Sequence, residues 1–164
     1  MVQKNKNTNY SFTSYIITKE LRNDPEILSI TRSVANLVVE SFVDINPGLT
    51  VESYLKHIDK ITDKQPLYTE VIKNGNKIIG AIVYTNDEII DIAVKENYRN
   101  QGCGKKLVEK AIYNIKETIS KQSKIKTKVF TPTGIRLFKA EGFVPNYYGS
   151  SEKSPYLVME HEIS

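Results

Sequence analysis

The sequence predicts a mixed α/β fold built as a single domain. Apolar runs of strand length alternate with longer segments of helical periodicity, and Asn74-Gly75-Asn76 is typical of a tight turn between two strands. The chain has 164 residues, of which 40% are hydrophobic and 26% charged. A chain of this length buries about 70% of its unfolded surface, which is enough for one hydrophobic core. We therefore expect one domain over residues 13–164, preceded by a flexible polar tail over residues 1–12.

The first half of the chain predicts a strand, two helices and a hairpin. Asp24 followed by Pro25 is typical of a helix start, because the carboxylate can cap free N–H groups and proline suits the first turn. Asn46-Pro47-Gly48 should end this helix, and Thr50 should begin the next one. In chain order, the expected elements are a strand at 14–18, helices at 25–42 and from residue 50, and strands at 67–73 and 77–85.

The second half predicts three strands that alternate with two helices. The apolar residues from Ile89 to Val94 favour an interior strand, and the segment after Leu107 carries apolar residues at helical spacing. Pro132 is a suitable first helical residue, and Gly142 is suited to close that helix. The expected elements are strands at 88–94, 125–130 and 156–162, a helix that opens within 99–107, and a helix at 132–140.

Two glycines, Gly102 and Gly104, lie between the strand at 88–94 and the following helix. Glycine lets the backbone approach a ligand closely, and a helix N-terminus offers free N–H groups at the positive end of its dipole. Between residues 95 and 128 the chain has ten Lys or Arg against three Asp or Glu, whereas the remainder has thirteen against sixteen. The turn and the charge together favour a polyanionic small ligand.

The glycine spacing separates three phosphate-binding motifs. Gly75 and Gly80 have the spacing of a P-loop, but the residues after Gly80 are not the Lys and Ser or Thr which that motif requires. A dinucleotide-binding turn needs a third glycine where Leu107 stands. Residues 99–104 instead fit the pattern Arg/Gln-x-x-Gly-x-Gly/Ala, and they follow a strand that ends in Ile-Ala-Val.

The segment from Ile92 to Leu107 resembles the acetyl-CoA signature of the GNAT N-acetyltransferase superfamily. Residues 131–143 are similar to a later motif of that family, in which Leu137, Gly142 and Phe143 match. The resemblance implies a central, twisted, mostly antiparallel sheet of six to seven strands flanked by about four helices. It also implies that acetyl-CoA is bound by Ile92, Ala93, Val94, Arg99, Asn100, Gln101, Gly102, Cys103, Gly104, Lys105, Thr131 and Phe138.

Acetyl transfer to an amine needs a group that removes the amine's proton, since an amine of pKa near 10.4 is almost wholly protonated at pH 7. The candidate bases are Glu88 and Asp91. Glu88 precedes Gly102 by fourteen residues, the spacing of the base in related histone acetyltransferases. A regular strand would turn the two carboxylates to opposite faces, so one should be structural, and we favour Glu88 as the base. A backbone N–H near Val94 could stabilise the oxyanion if the strand is bulged there.

The sequence does not assign the group that protonates the CoA thiolate. Phe138 stands where the family usually has a tyrosine, and its side chain has no proton to give. Asn146-Tyr147-Tyr148 resembles the Asn-Tyr-Tyr segment of some protein N-terminal acetyltransferases. Tyr147 and Tyr148 are therefore further candidate catalytic residues.

The resemblance and the charge pattern predict an acetyl-CoA-dependent N-acetyltransferase. Its acceptor would be a primary amine, either of a small molecule or of a peptide N-terminus, and the transfer would be direct. The alternative is a catalytically weak or inactive acetyl-CoA-binding regulatory module, which Phe138 favours. A nucleic-acid binder, suggested by the pI of about 9.0, lacks a recognition motif.

Further classes of site and location are disfavoured. Cys103 is the only cysteine, so we expect no internal disulfide, and neither His57 nor His161 has the neighbours of a metal ligand. No apolar run approaches the roughly 20 residues of a membrane span, and the polar start lacks the apolar segment of a secretory signal. We expect a cytoplasmic protein, a monomer or homodimer, with no metal, nucleic-acid or membrane partner.

Overall fold

The computed structural model describes residues 10–118, 124–146 and 156–163. No helix within these ranges combines the length and the hydropathy that crossing a bilayer requires. A single turn of 3-10 helix, Glu96–Tyr98, follows the fourth strand. In chain order the other elements are β1 (Tyr10–Ile17), α1 (Pro25–Phe42), α2 (Val51–Thr62), β2 (Leu67–Asn74), β3 (Lys77–Tyr84), β4 (Glu88–Val94), α3 (Cys103–Thr118), β5 (Lys124–Val129), α4 (Pro132–Ala140), β6 (Val144–Pro145) and β7 (Leu157–Glu162).

The strands form one sheet in the order β1-β2-β3-β4-β5-β7-β6. Neighbouring strands are antiparallel, except that β4 and β5 are parallel. This parallel pairing joins Glu88 to Lys126 and Ile89 to Thr127, and it ends there. The predicted mixed α/β fold, with a mostly antiparallel sheet and about four helices, is therefore confirmed.

The two faces of the sheet are covered by different helices, and each face has its own apolar core. Helices α1 and α2 cover one face, the α1–α2 face, where Tyr54 of α2 is buried with Val83 of β3. Helices α3 and α4 cover the opposite α3–α4 face, where Leu107 and Phe138 are buried with Ile89 of β4. Burial on both faces explains why the central strands are almost continuously apolar.

Local signals placed several element boundaries correctly. The Asp24 side chain accepts hydrogen bonds from two backbone N–H groups in the first turn of α1, and Thr50 caps α2 in the same manner. Gly75 lies in the β2–β3 turn with φ of 62°, a conformation that glycine adopts without strain. Helix α4 begins at Pro132, as predicted, and Gly142 follows it with φ of 90°.

Two elements differ from the prediction. Strand β1 begins at Tyr10, so residues 10–12 pair with β2 instead of belonging to a flexible tail. The contacts that fix this start are distant in sequence, because Tyr10 pairs with Asn74, and so no local pattern reveals them. Strand β6 has only two residues, which is too short for a periodicity to show. The remainder of the predicted tail, residues 1–9, lies outside the described residues.

Candidate active site

A cleft of about 810 Å³ opens where β4 and β5 separate. Because β5 does not pair with β4 beyond Ile89, the peptide groups of β4 that point toward β5 after this residue have no strand partner on that side. The cleft is lined by β4 from Ile89 to Val94, by residues 127–131 of β5 and the turn after it, and by parts of α3 and α4. It is therefore a product of the sheet topology.

The loop after β4 presents backbone N–H groups to this cleft. Asn100 and Gly102 have left-handed backbones, with φ of 61° and 82°, and a residue of this kind between ordinary ones forms a concave nest of N–H groups. The hydrogen-bond ladder of α3 starts where the Lys106 N–H donates to Gly102 O at 3.1 Å. The N–H groups of residues 103–105 precede that bond, so they lie outside the helix ladder, an arrangement suited to binding an anion.

Side-chain hydrogen bonds hold the loop after β4 in place. The Tyr10 hydroxyl donates to Gln101 Oε1 at 2.8 Å, and Gln101 Nε2 donates to the carbonyl of Asn97 at 3.3 Å. Arg99 Nε donates to the Val94 carbonyl at 3.0 Å, which ties the loop to the end of β4. Of the residues predicted to bind the cofactor, all except Gln101 line the cleft. Gln101 holds the loop instead.

Charge is distributed unevenly around the cleft. Its cationic lining side chains come from the loop, α3, β5 and α4, and Asp91 is the carboxylate among the described lining residues. Lys105 also lies 3.9 Å from Glu109 one turn along α3, an exposed pair that contributes little. The cations that line the cleft are Arg99, Lys105, Lys128 and Arg136.

Asp91 is a half-buried carboxylate that accepts a hydrogen bond from a tyrosine. The Tyr54 hydroxyl of α2, in a side chain only 3% exposed, donates to Asp91 Oδ2 at 2.9 Å. Burial raises the pKa of Asp91 to about 7; the Tyr54 hydrogen bond opposes this rise, and the negative charge of Glu88 adds to it. A carboxylate that changes protonation near neutral pH can accept a proton from a substrate and release it again.

A β-bulge corrects the expectation that Glu88 and Asp91 face opposite ways. Val83 of β3 pairs with Asp91 and the next residue, Tyr84, pairs with Ile89, so Ile90 is an extra residue on β4. Ile89 is buried on the α3–α4 face, while Ile90 packs on the α1–α2 face, where Asp91 also meets Tyr54. The alternation then turns Glu88 to the same face as Asp91.

The position of the bulge also bears on which residues of β4 could act as the base and as the oxyanion donor. Asp91 lines the cleft and Glu88 does not, although the sequence favoured Glu88. The irregularity lies at Ile90, not at Val94, whose pairing with Gly80 is in regular register. The N–H groups of β4 that could face an oxyanion are therefore those released by the separation from β5 beyond Ile89.

Glu70 is a fully buried carboxylate with a structural role. It is 1% exposed and accepts hydrogen bonds from the Tyr84 hydroxyl at 2.9 Å and from Asn114 Nδ2 at 2.7 Å. The Ser14 hydroxyl also donates to it. Glu70 lies outside the cleft, so its carboxylate links β1, β3 and α3 and is not available to a substrate.

The residues of the second motif form the α4 side of the cleft. Thr131 caps α4, since its hydroxyl accepts from the Gly134 N–H at 3.0 Å. Phe138 is 3% exposed, and its ring lies 5.1 Å from that of Phe143 in an edge-to-face contact. Phe138 therefore closes the cleft against the core and supplies no proton.

Sequence reasoning missed three contributors, and two predicted ones cannot be placed. Tyr54 is 37 residues from Asp91, so only an inward-facing tyrosine on α2 and a carboxylate in an apolar strand hinted at their contact. Lys128 and Phe130 line the cleft from β5 and the turn after it. Tyr147 and Tyr148 lie outside the described residues.

Among the residues that are described, no three His, Cys, Asp or Glu side chains converge as metal ligands would.

Comparisons with known proteins agree with this geometry. Residues 66–145 match the family model described as Acetyltransferase (GNAT) domain. The fold is similar to that of PaiA N-acetyltransferase from Thermoplasma acidophilum in complex with coenzyme A, at 14% identity over 93% of this chain and 99% of that chain, with a TM-score of 0.62. It is also similar to an acetyltransferase from Thermus thermophilus, at 14% identity over 93% of this chain and 97% of that chain, with a TM-score of 0.65.

A third solved structure, the IAA acetyltransferase from Bacillus cereus, is 20% identical over 93% of this chain and 100% of that chain, with a TM-score of 0.59. Comparison with curated protein sequences gives no match. The family-model match covers β2 to β6 and thus the loop, the strand pair and the helix that form the cleft. Residues 66–145 thus match a GNAT acetyltransferase domain, and the fold as a whole is shared with the solved acetyltransferases named above.

Proposed function

We propose that this protein is an acetyl-CoA-dependent N-acetyltransferase that transfers the acetyl group directly to a primary amine. The observation that carries the proposal is the cleft itself, because it joins the anion-binding loop, residues 99–105, to the Asp91 carboxylate, whose pKa is raised to about 7 by desolvation. The family match supports acetyl transfer, and the coenzyme A bound by the Thermoplasma neighbour supports the choice of donor. The acceptor amine belongs to a small molecule or a peptide N-terminus.

The loop and β4 fit a CoA donor. The pyrophosphate would accept hydrogen bonds from the N–H groups of residues 103–105 and from the nest at Gly102. Arg99 and Lys105 add positive charge at this end of the cleft. The amide groups of the extended CoA arm can pair with those peptide groups of Ile92–Val94 that have no strand partner, as an added strand would.

Asp91 is the proposed general base. It takes a proton from the acceptor ammonium, directly or through a water molecule, and the neutral nitrogen then forms a bond to the thioester carbonyl carbon. The C–S bond breaks, the CoA sulfur leaves as a thiolate, and the second proton of the attacking nitrogen passes to that thiolate or to water, which leaves the neutral amide. A thiol of pKa about 8.5 is a fair leaving group, so the reaction proceeds without a tyrosine at Phe138.

Replacing Gly102 by alanine should weaken acetyl-CoA binding about tenfold, measured by titration calorimetry. The position has φ of 82°, which costs a side-chain-bearing residue about 1–2 kcal/mol, and 1.4 kcal/mol corresponds to a factor of ten. Gly75→Ala is the matched control, because Gly75 has φ of 62° and, as at Gly102, no atom within 4 Å of an added Cβ. Equal binding by both variants would argue against the loop as the CoA site.

Replacing Tyr54 by phenylalanine should move the pH dependence of kcat to higher pH. The Tyr54 hydrogen bond lowers the pKa of Asp91, so its loss raises that pKa, and a base of higher pKa is deprotonated only at higher pH. The wild-type midpoint is expected near pH 7. Tyr113→Phe, at a side chain 59% exposed on α3, is the control. A Tyr54→Phe enzyme that loses activity equally at every pH would contradict this role.

Because Phe138 lacks the hydroxyl of a tyrosine and cannot donate a proton, it favours one other candidate, a CoA-binding regulatory module without catalysis. Both candidates bind acetyl-CoA, so binding alone does not separate them. Release of thiol that depends on an added amine, and that disappears in Asp91→Asn, is expected for the enzyme only. Binding of acetyl-CoA with no such release across an amine panel would favour the module.

A further inference from the structure

The acceptor side of the cleft contains a cation as well as a base. On β5, Ile125 and Val129 are buried in the core under α3, so the alternating Lys126 and Lys128 lie on the α1–α2 face. Asp91 lies on that same face, bonded to α2. The anion-binding loop precedes α3 on the opposite face of the sheet. Asp91 and Lys128 are therefore the cleft-lining charged groups on the face that the acceptor would occupy.

Lys128 is positioned by an aromatic ring and has no salt bridge within the described residues. Its Nζ lies 5.1 Å from the ring centroid of Tyr156, a cation–π distance that holds the ammonium over the aromatic face. Among the described residues no carboxylate lies within 4.0 Å of it, whereas Lys124 on the same strand is paired with Glu160 at 3.2 Å. Lys128 lines the cleft. Within the described part of the chain, its charge is therefore not offset by a carboxylate and faces the cleft.

Exposed apolar side chains line the same cleft as the two charged groups. Phe130, 43% exposed, packs edge-to-face on Tyr156 with ring centroids 5.6 Å apart. Phe42 at the end of α1 and Ile45 just beyond it line the same cleft, and Ile45 is 44% exposed. Exposed apolar side chains inside a cleft favour a ligand with an apolar body.

We infer that the acceptor is a small zwitterionic amine with an apolar side chain, of the amino acid class, whose ammonium meets Asp91 and whose carboxylate meets Lys128. This inference rests on the proposed function. Two ion pairs, one to the ammonium and one to the neighbouring carboxylate of the acceptor, fix its orientation, so the amine nitrogen faces the thioester. A polycationic amine is disfavoured, because it would place a positive charge beside Lys128 without a partner.

Three acceptors that differ in one group test the inference: phenylalanine, phenylalaninamide and 2-phenylethylamine. Only the first carries a carboxylate. The ammonium of phenylalaninamide loses its proton more readily than that of phenylalanine. An enzyme that does not bind the acceptor's carboxylate would therefore acetylate phenylalaninamide faster than phenylalanine. We expect the wild-type protein to have the highest kcat/KM with phenylalanine. We also expect Lys128→Met to reduce that value about tenfold, through KM, and to leave the other two acceptors unchanged.

Lys126→Met is the matched control, since Lys126 lies two residues away on the same strand and face but outside the cleft. It should leave all three acceptors unchanged. The inference is overturned if the wild-type protein acetylates the amide or a polyamine such as spermidine in preference to phenylalanine, or if Lys128→Met affects all acceptors equally. In either case the proposed acetyltransferase function stands. If no amine in the panel is acetylated, the proposed function fails as well.

Discussion

Asp91→Asn is expected to lower kcat about 10²–10⁴-fold at neutral pH, the usual effect of losing a general base. The asparagine keeps the shape of the side chain, and its amide oxygen can still accept the Tyr54 hydrogen bond. It cannot accept a proton from the acceptor ammonium. Acetyl-CoA affinity, measured by titration calorimetry, should remain within about twofold, because the anion-binding loop is on the other side of the sheet.

Glu88→Gln is the control for this substitution. Glu88 lies on the same strand and, because of the bulge at Ile90, on the same face, yet it does not line the cleft. Its negative charge raises the pKa of Asp91, so neutralising it should move the kcat midpoint slightly to lower pH and keep the maximal rate. The opposite result, an inactive Glu88→Gln and an active Asp91→Asn, would assign the base to Glu88.

Phe138→Ala is expected to reduce the free energy of unfolding by about 3–5 kcal/mol, the range for removing a buried aromatic ring. Phe138 is 3% exposed and packs against Phe143, so its removal leaves a cavity between α4 and the core. The cost is measured by equilibrium urea denaturation, from the change of the midpoint at constant slope.

Phe130→Ala is the control, because it removes a phenylalanine ring that is partly exposed instead of buried. Phe130 also lines the cleft, but it is 43% exposed, so its removal creates no enclosed cavity. We expect it to cost less than about 1 kcal/mol. Similar losses in both variants would show that α4 does not depend on Phe138 for its attachment.

Much of the fold was predictable because the signals are local. Asp24 caps the helix that begins at Pro25, Gly75 adopts the left-handed turn of the β2–β3 hairpin, and Gly102 does the same before α3. Each of these residues acts on neighbours within a few positions. The order of helices and strands, and the place of the anion-binding loop between β4 and α3, follow from such signals.

The catalytic geometry was less predictable because it depends on distant contacts. The extra residue at Ile90 has no sequence signal, yet it decides that Glu88 and Asp91 share a face. Tyr54 meets Asp91 across 37 residues, and Tyr10 reaches Gln101 across 91. Lys128 lines the cleft next to the point where β5 parts from β4, after Ile89. These arrangements are set by the packing of the sheet.

The central claim, direct acetyl transfer to an amine, is tested by measuring both products of one reaction. Purified protein is incubated with acetyl-CoA and an amine; free thiol is followed by a colour reagent, and the acetylated amine is quantified by mass spectrometry. We expect thiol and N-acetyl product in equal amounts, and neither above background in Asp91→Asn. Thiol released without acetylated amine, or acetyl-CoA bound with neither product formed, would contradict the account.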